Sequence, residues 1–200
     1  MLKNEVGERM MKQYSFAKGC WNDAELTVAY SFRFTETPGF VQHDDCIGSG
    51  VNSGHREGFD NVSLLTRERF PAGAKAAIRC SFEGMGCPEI IIVEECESCP
   101  DGAVRYGACF EVVLYKNGLN VWRHYREDGK CSWHKRLGLE FPVTENEIHE
   151  LTAEVRENYL VVTINGKRFT LRVDDFPERF HLGITTCEGV ARVYDLRVEA

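Results

Sequence analysis

Residues 110–136 read Phe110-Glu-Val-Val-Leu-Tyr-Lys-Asn-Gly-Leu-Asn-Val-Trp-Arg-His-Tyr-Arg-Glu-Asp-Gly-Lys-Cys-Ser-Trp-His-Lys-Arg136, and two dipeptides within them decide the fold. Asn117-Gly118 and Asp128-Gly129 each sit between runs whose character changes at every second residue. A period of two marks an extended strand, whose side chains point alternately to opposite faces. Asn-Gly and Asp-Gly accept the positive φ angles of primed turns, so each pair predicts a two-residue hairpin. The stretch is therefore three successive antiparallel strands. Turn length fixes register, and register fixes which side chains share a face. With Asn117-Gly118 as a loop, Tyr115 lies opposite Asn120, Val113 opposite Trp122, and Glu111 opposite His124. With Asp128-Gly129 as a loop, Arg126 lies opposite Cys131, His124 opposite Trp133, and Trp122 opposite Lys135.

The two faces of this meander differ in chemistry. One begins with Phe110, Val112, Leu114, Leu119 and Val121, a core face, and turns polar toward Arg123, His134 and Arg136. The other carries Glu111, Tyr115, Trp122, His124, Arg126, Trp133 and Lys135. That mixture cannot be buried without a partner for each polar group. It suits a face open to a ligand. Flat aromatic rings among hydrogen-bonding groups fit a sugar, whose apolar ring face stacks and whose hydroxyls need donors and acceptors. These seven residues are the candidate binding set, and Glu111 and His124 are the candidates for catalysis. Two other readings stand: cross-strand pairing on an idle sheet face, and a dimer interface, since Trp, Tyr and Arg are enriched there.

Working outward, residues 25–34 alternate through Leu26, Val28, Tyr30, Phe32 and Phe34. Further strands are expected near 61–67, 75–83 and 89–95, the last containing the apolar run Ile90-Ile-Ile-Val93. Asn165-Gly166 predicts a hairpin with Leu160, Val162, Ile164, Phe169, Leu171 and Val173 on a core face, belonging to the outer sheet. Glu188-Gly189 predicts a fourth hairpin. Residues 39–60 and 96–104 read as loops, and only 2–12 and 144–153 look mildly helical. The expectation is one domain over 1–200: an all-β, two-sheet antiparallel β-sandwich of about a dozen strands.

Composition narrows the function classes. The chain has 200 residues, 43% hydrophobic, and a net charge of −7. It is long enough to bury its own core. The acidic balance, with no run of Lys or Arg, argues against nucleic acid as a partner. No apolar run approaches the ~20 residues of a membrane-spanning helix, so no membrane partner is expected. The first nine residues carry no export signal. Nine scattered cysteines then read as reduced thiols of a cytoplasmic protein. Cys96-Glu-Ser-Cys99 has metal-knuckle spacing but no second pair to complete four ligands, so no zinc, and no cofactor, is expected. His43-Asp-Asp-Cys46 and Asp174-Asp175 offer oxygen ligands suited to calcium, although a solvated acidic loop accounts for each. His55, Arg56, Glu57, Asp60 and Asn61 fall in the long loop, as turn residues or as a border to the ligand face. His181 reads as a structural histidine. Oligomeric state cannot be read from the sequence.

Two segments carry a resemblance: Leu160-Val-Val-Thr-Ile-Asn-Gly-Lys-Arg-Phe169, and Phe180-His-Leu-Gly-Ile-Thr-Thr-Cys-Glu-Gly-Val-Ala-Arg-Val-Tyr-Asp-Leu-Arg-Val198. Together with Ser63-Leu-Leu-Thr66, Phe70 and Gly73, they resemble the concanavalin A-like lectin/glucanase superfamily, laminin-G-like domains included. The likeness spans most of residues 20–198. It implies a jelly roll of two curved sheets with carbohydrate on the concave one, where the Trp122–Trp133 face would lie.

The superfamily includes lectins, glycoside hydrolases and polysaccharide lyases. Laminarinase-type hydrolases carry Glu-x-Asp-x-x-Glu on one strand; this chain is read as having no such motif, and the strand around Glu111 holds no second acid. A hydrolase needs two carboxyl groups about 5–10 Å apart, so Glu94 or Glu95 on a neighbouring strand would have to supply the second. A lyase would use His124 or Tyr115 as base, with Arg126 and Lys135 to neutralise a uronate. The leading expectation is a carbohydrate-binding protein, with these enzymes and the dimer interface as alternatives.

Overall fold

The computed structural model describes residues 10–21, 24–32, 40–48 and 62–200. His55, Arg56, Glu57, Asp60, Asn61, Phe34 and most of the first helical stretch lie outside the described residues. Eighteen strands are present among those described: β1 (Met11–Ser15), β2 (Leu26–Ser31), β3 (Val41–Gln42), β4 (Ile47–Gly48), β5 (Val62–Thr66), β6 (Phe70–Pro71), β7 (Lys75–Glu83), β8 (Cys87–Val93), β9 (Cys96–Ser98), β10 (Val104–Tyr106), β11 (Cys109–Tyr115), β12 (Gly118–Glu127), β13 (Lys130–Glu140), β14 (His149–Arg156), β15 (Tyr159–Ile164), β16 (Lys167–Arg172), β17 (Arg179–Cys187) and β18 (Val190–Glu199). This exceeds the dozen expected because several are two- or three-residue pieces. Residues 144–153, expected to be mildly helical, form a turn and the start of β14. There His149, Leu151 and Ala153 are buried while Glu150 is exposed, a period of two that overrides helix propensity.

The strands form two sheets. One runs β16-β15-β14-β7-β18-β4-β3, with β1 on β18; the other runs β13-β12-β11-β8-β17-β5-β2-β10-β9, with β6 on β17. Pairing is antiparallel except between β10 and β2. Alternation in the second sheet sends Ile90, Ile92, Phe110, Val112, Leu114, Leu119, Val121, Leu182 and Ile184 inward, against Ile78, Leu151, Val162 and Leu196 of the first. The Asn165-Gly166 hairpin lies in the first sheet, with Leu160, Val162 and Ile164 buried.

Two turns differ from expectation. Tyr115 pairs with Gly118 and Glu111 with Trp122, so the β11–β12 loop is Lys116-Asn117 and the register is displaced by two residues. Gly118 opens the next strand at φ +142°, where a Cβ would come 1.8 Å from the Leu139 carbonyl oxygen. A shift of two preserves parity, so every side chain keeps its predicted face. The Asp128-Gly129 loop pairs Arg126 with Cys131, His124 with Trp133 and Trp122 with Lys135, in the predicted register. Beyond it Val121 pairs with Leu137, leaving Arg136 as an extra residue. That bulge turns Leu137 and Leu139 onto the core.

Glu188-Gly189 does not close a hairpin. It carries the chain from β17 in the second sheet to β18, which pairs with β7 in the first. The β7–β8 link, Gly84–Gly86, crosses beside it. A Cβ on Gly86 would lie 1.9 Å from the Val190 carbonyl oxygen, so glycine lets the two crossings touch.

Candidate functional site

The outer face of the second sheet is divided. Over one part, β9 and β10 fold across, and Tyr106, Ile91, Val93, Leu65, Ala29 and Cys109 make a second small core. Tyr106 is anchored by a 2.8 Å hydrogen bond between its hydroxyl and Ser63. The rest of the face is open and holds a cavity of ≈ 460 Å³. Its floor comes from β8, β11 and β12, one wall from Trp133, and the opposite rim from the two crossings between sheets, at Gly84, Met85, Cys187 and Glu188.

Glu111, Tyr115, Trp122, His124 and Trp133 all line this cavity, together with Asn120. Trp122 is half-buried, whereas Trp133 is 48% exposed. The Lys135 ammonium sits 5.1 Å from the centroid of the Trp122 ring and backs that indole rather than lining the cavity. Arg126 shares the parity of the set but not its location. Its guanidinium lies over the Phe32 ring and its Nη1 is 2.8 Å from Glu97. Glu111 and His124 are not opposite one another. Because Cys109 takes the place facing His124, the two meet on a diagonal, His124 Nε2 to Glu111 Oε2 at 2.7 Å.

The second acid is neither Glu94 nor Glu95. Glu94 has the parity of Ile90 and Ile92 and turns to the core side, where it pairs with Arg123. Arg123 also pairs with Asp175 and packs over the Phe110 and Tyr125 rings. Glu95 extends toward Arg69. The acid on the cavity floor is Glu89, 2% exposed, which the sequence analysis did not single out. Residues 89–94 do have the spacing of the laminarinase-type signature, with Ile91 in the aspartate position, but only the first acid faces the cavity. Glu89 sits opposite Val113, and Glu111 opposite Ile91. The two acids are thus diagonal neighbours, with roughly 7–8 Å expected between such positions.

Burial raises the Glu89 carboxyl well above the usual carboxylate range, and the charge of Glu111 raises it further, against a lowering hydrogen bond from Cys187. Cys187 pairs with Cys87 across β17 and β8. A hydrogen bond with Cys87, burial and the nearby Glu89 raise its thiol well above the usual range. The floor thus brings the buried Glu89 carboxyl and the Cys87 and Cys187 thiols beside the Glu111–His124 pair.

Other candidates are occupied elsewhere. Asp174 and Asp175 form ion pairs with Arg172 and Arg123. His181 Nδ1 lies 2.7 Å from the Thr66 carbonyl, and burial lowers its pKa, as suits a structural histidine. None of the nine cysteines forms a disulfide. Among the described residues, the cluster with metal-ligating geometry is Cys109, Glu111 and His124, whose ligand atoms all lie within 4.8 Å of one another.

No protein-family model matches the sequence, and no curated protein is similar to it. Solved structures do match. β-Agarase A from Zobellia galactanivorans has a TM-score of 0.64 at 9% identity, covering 96% of this chain and 93% of that one; a second structure of a β-agarase A is a complex with oligoagarose. The carbohydrate binding module CBM66 from Bacillus subtilis has a TM-score of 0.58 at 9% identity, over 85% of this chain and 91% of that one. The catalytic domain of an endo-1,3-beta-glucanase (laminarinase) from Thermotoga petrophila has a TM-score of 0.58 at 12% identity, over 98% and 99%. The fold of this chain is the two-sheet jelly-roll β-sandwich that these structures share.

Proposed function

We propose that this chain binds carbohydrate in the cavity on the outer face of the second sheet. One observation carries the reading: two indoles, Trp122 and Trp133, open onto the same ≈ 460 Å³ hollow as Glu111, Asn120, Tyr115 and His124. Its volume suits a small ligand, and the mixture offers stacking surfaces beside donors and acceptors. The solved neighbours that hold oligosaccharides give the fold precedent. Nine unpaired thiols support a reducing compartment such as the cytoplasm. The test is a panel of neutral and acidic oligosaccharides, followed by calorimetry on the best binder. Trp122→Ala is expected to weaken binding by about 1–3 kcal/mol, the scale of one buried aromatic contact, with an unchanged circular dichroism spectrum. Undiminished binding by that variant would remove the reading.

A second reading, glycoside hydrolysis, is favoured by Glu89 and Glu111. Two carboxyl groups in unlike environments, one buried with its pKa raised and the other paired with His124, are what acid–base cleavage of a glycosidic bond requires. Glu89 would protonate the leaving oxygen and Glu111 would act as nucleophile or base. Turnover that disappears in both Glu89→Gln and Glu111→Gln, while ligand still binds, would establish this. Binding without turnover by the unaltered chain would leave the lectin-like reading alone.

A further inference from the structure

We infer that Cys109, Glu111 and His124 form a binding site for a zinc-class divalent cation where the cavity meets the second small core. The arrangement follows from strand geometry. Cys109 and Glu111 are two residues apart on β11 and so project to the same face; His124 is the cross-strand partner of Cys109 on β12. Sγ, a carboxylate oxygen and an imidazole nitrogen thus come together, all within 4.8 Å of one another. A metal 2.0–2.3 Å from such ligands needs only a small contraction of that triangle.

The donor types select the metal. A thiolate and an imidazole suit zinc, while calcium and magnesium require oxygen ligands. Thiolate, carboxylate and neutral imidazole carry two negative charges against the two positive charges of the ion. The loaded site is therefore neutral overall, which suits a place where Cys109 is 1% and His124 5% exposed. Glu111 and His124 line the cavity, which supplies the route of entry. Water or a ligand oxygen from the cavity would supply the fourth ligand. Binding displaces the Cys109 thiol proton to solvent, so uptake of the ion is coupled to proton release. This site is distinct from the Cys96/Cys99 pair and does not rest on the carbohydrate reading, because the ion alone is the ligand.

The experiment uses the whole chain, reduced and stripped with a chelator, titrated with zinc against a chromophoric competitor. One zinc per chain is expected, with roughly one proton released, measured by calorimetry in buffers of different ionisation enthalpy. Cobalt in place of zinc should give a thiolate-to-metal charge-transfer absorption. Cys109→Ser should abolish that band. Cys109→Ser and His124→Gln should each weaken zinc binding by more than the about 10–100-fold typical of losing an outer-shell partner. The double variant Cys96→Ser/Cys99→Ser should bind as the original does. Glu111 is partly exposed, so Glu111→Gln is a third ligand variant for the case in which a buried one does not fold; it should weaken binding likewise. Failure of the unaltered chain to take up stoichiometric zinc would overturn the site. So would unchanged affinity in the ligand variants, or loss of binding in the Cys96/Cys99 variant.

Discussion

Glu89 is enclosed among Cys87, Cys187 and Glu111, and burial raises its carboxyl well above the usual carboxylate range. That has a thermodynamic consequence. Below about pH 4.3, the ordinary glutamate pKa, the group is protonated in the folded and unfolded chains alike. Above it, the unfolded chain releases the proton while the folded protein retains it. Stability therefore falls as pH rises, until the folded group also ionises. Glu89→Gln removes this linkage. Urea denaturation at pH 5 and pH 8 should show the variant gaining stability relative to the original at the higher pH, and a gap that does not widen with pH would contradict the assignment. Gly118 gives a second test at this scale. Its φ of +142° and the Leu139 oxygen 1.8 Å from a would-be Cβ make Gly118→Ala costly. Gly129 also has positive φ, +76°, but nothing lies within 4 Å of its would-be Cβ. Gly118→Ala should lower stability by well over about 1 kcal/mol, and by more than Gly129→Ala, when both are compared by thermal unfolding.

Among the elements, β13 is where pattern and structure meet most tightly. Its extra residue, Arg136, divides a stretch facing the cavity, with Trp133 and Lys135, from one facing the core, with Leu137 and Leu139. Deleting Arg136 must either pull both leucines out of the core or slip the Asp128-Gly129 hairpin by one residue. Each outcome strips apolar contacts, so a loss of about 2–4 kcal/mol is expected in urea denaturation; an unaltered midpoint would show that the bulge carries no such role. The same strands show what the sequence could disclose. Hairpin dipeptides and alternation placed Glu111, Tyr115, Trp122, His124 and Trp133 on one face, because neighbouring strands joined by short loops inherit their register from the turn. The two-residue displacement at Lys116-Asn117 did no harm, since parity survived it. Glu89 escaped notice because β8 reads as a continuous apolar run. Its alignment with β11 is also set across residues 94–108, which have no tight turn to carry register. Arg126 had the right parity, but Glu97 and Phe32, from distant parts of the chain, draw it away. Nothing local announces such a partner.

At the scale of the molecule, the site exists because the chain crosses between sheets twice at one place. The β7–β8 and β17–β18 links would both read as tight turns, and Glu188-Gly189 was expected to close a hairpin. A turn dipeptide specifies a reversal, not whether the returning strand pairs in the same sheet or packs on the opposite one. Crossing there raises a rim at Gly84, Met85 and Glu188 and encloses the floor that β8, β11 and β12 provide. The central claim, that carbohydrate occupies this hollow against the indoles, has a direct test in intrinsic fluorescence. The chain has three tryptophans. Trp21 lies elsewhere, on Phe16 and hydrogen-bonded to Gln42, so in Trp21→Phe only the two cavity indoles emit. Titrating that variant with the best-binding oligosaccharide should give a saturable change in emission at the dissociation constant found by calorimetry, and combining Trp122→Phe and Trp133→Phe, with Trp21 retained, should abolish it. Binding that leaves the Trp21→Phe emission unchanged, or a response that persists in the Trp122→Phe/Trp133→Phe protein, would place the ligand somewhere other than this cavity.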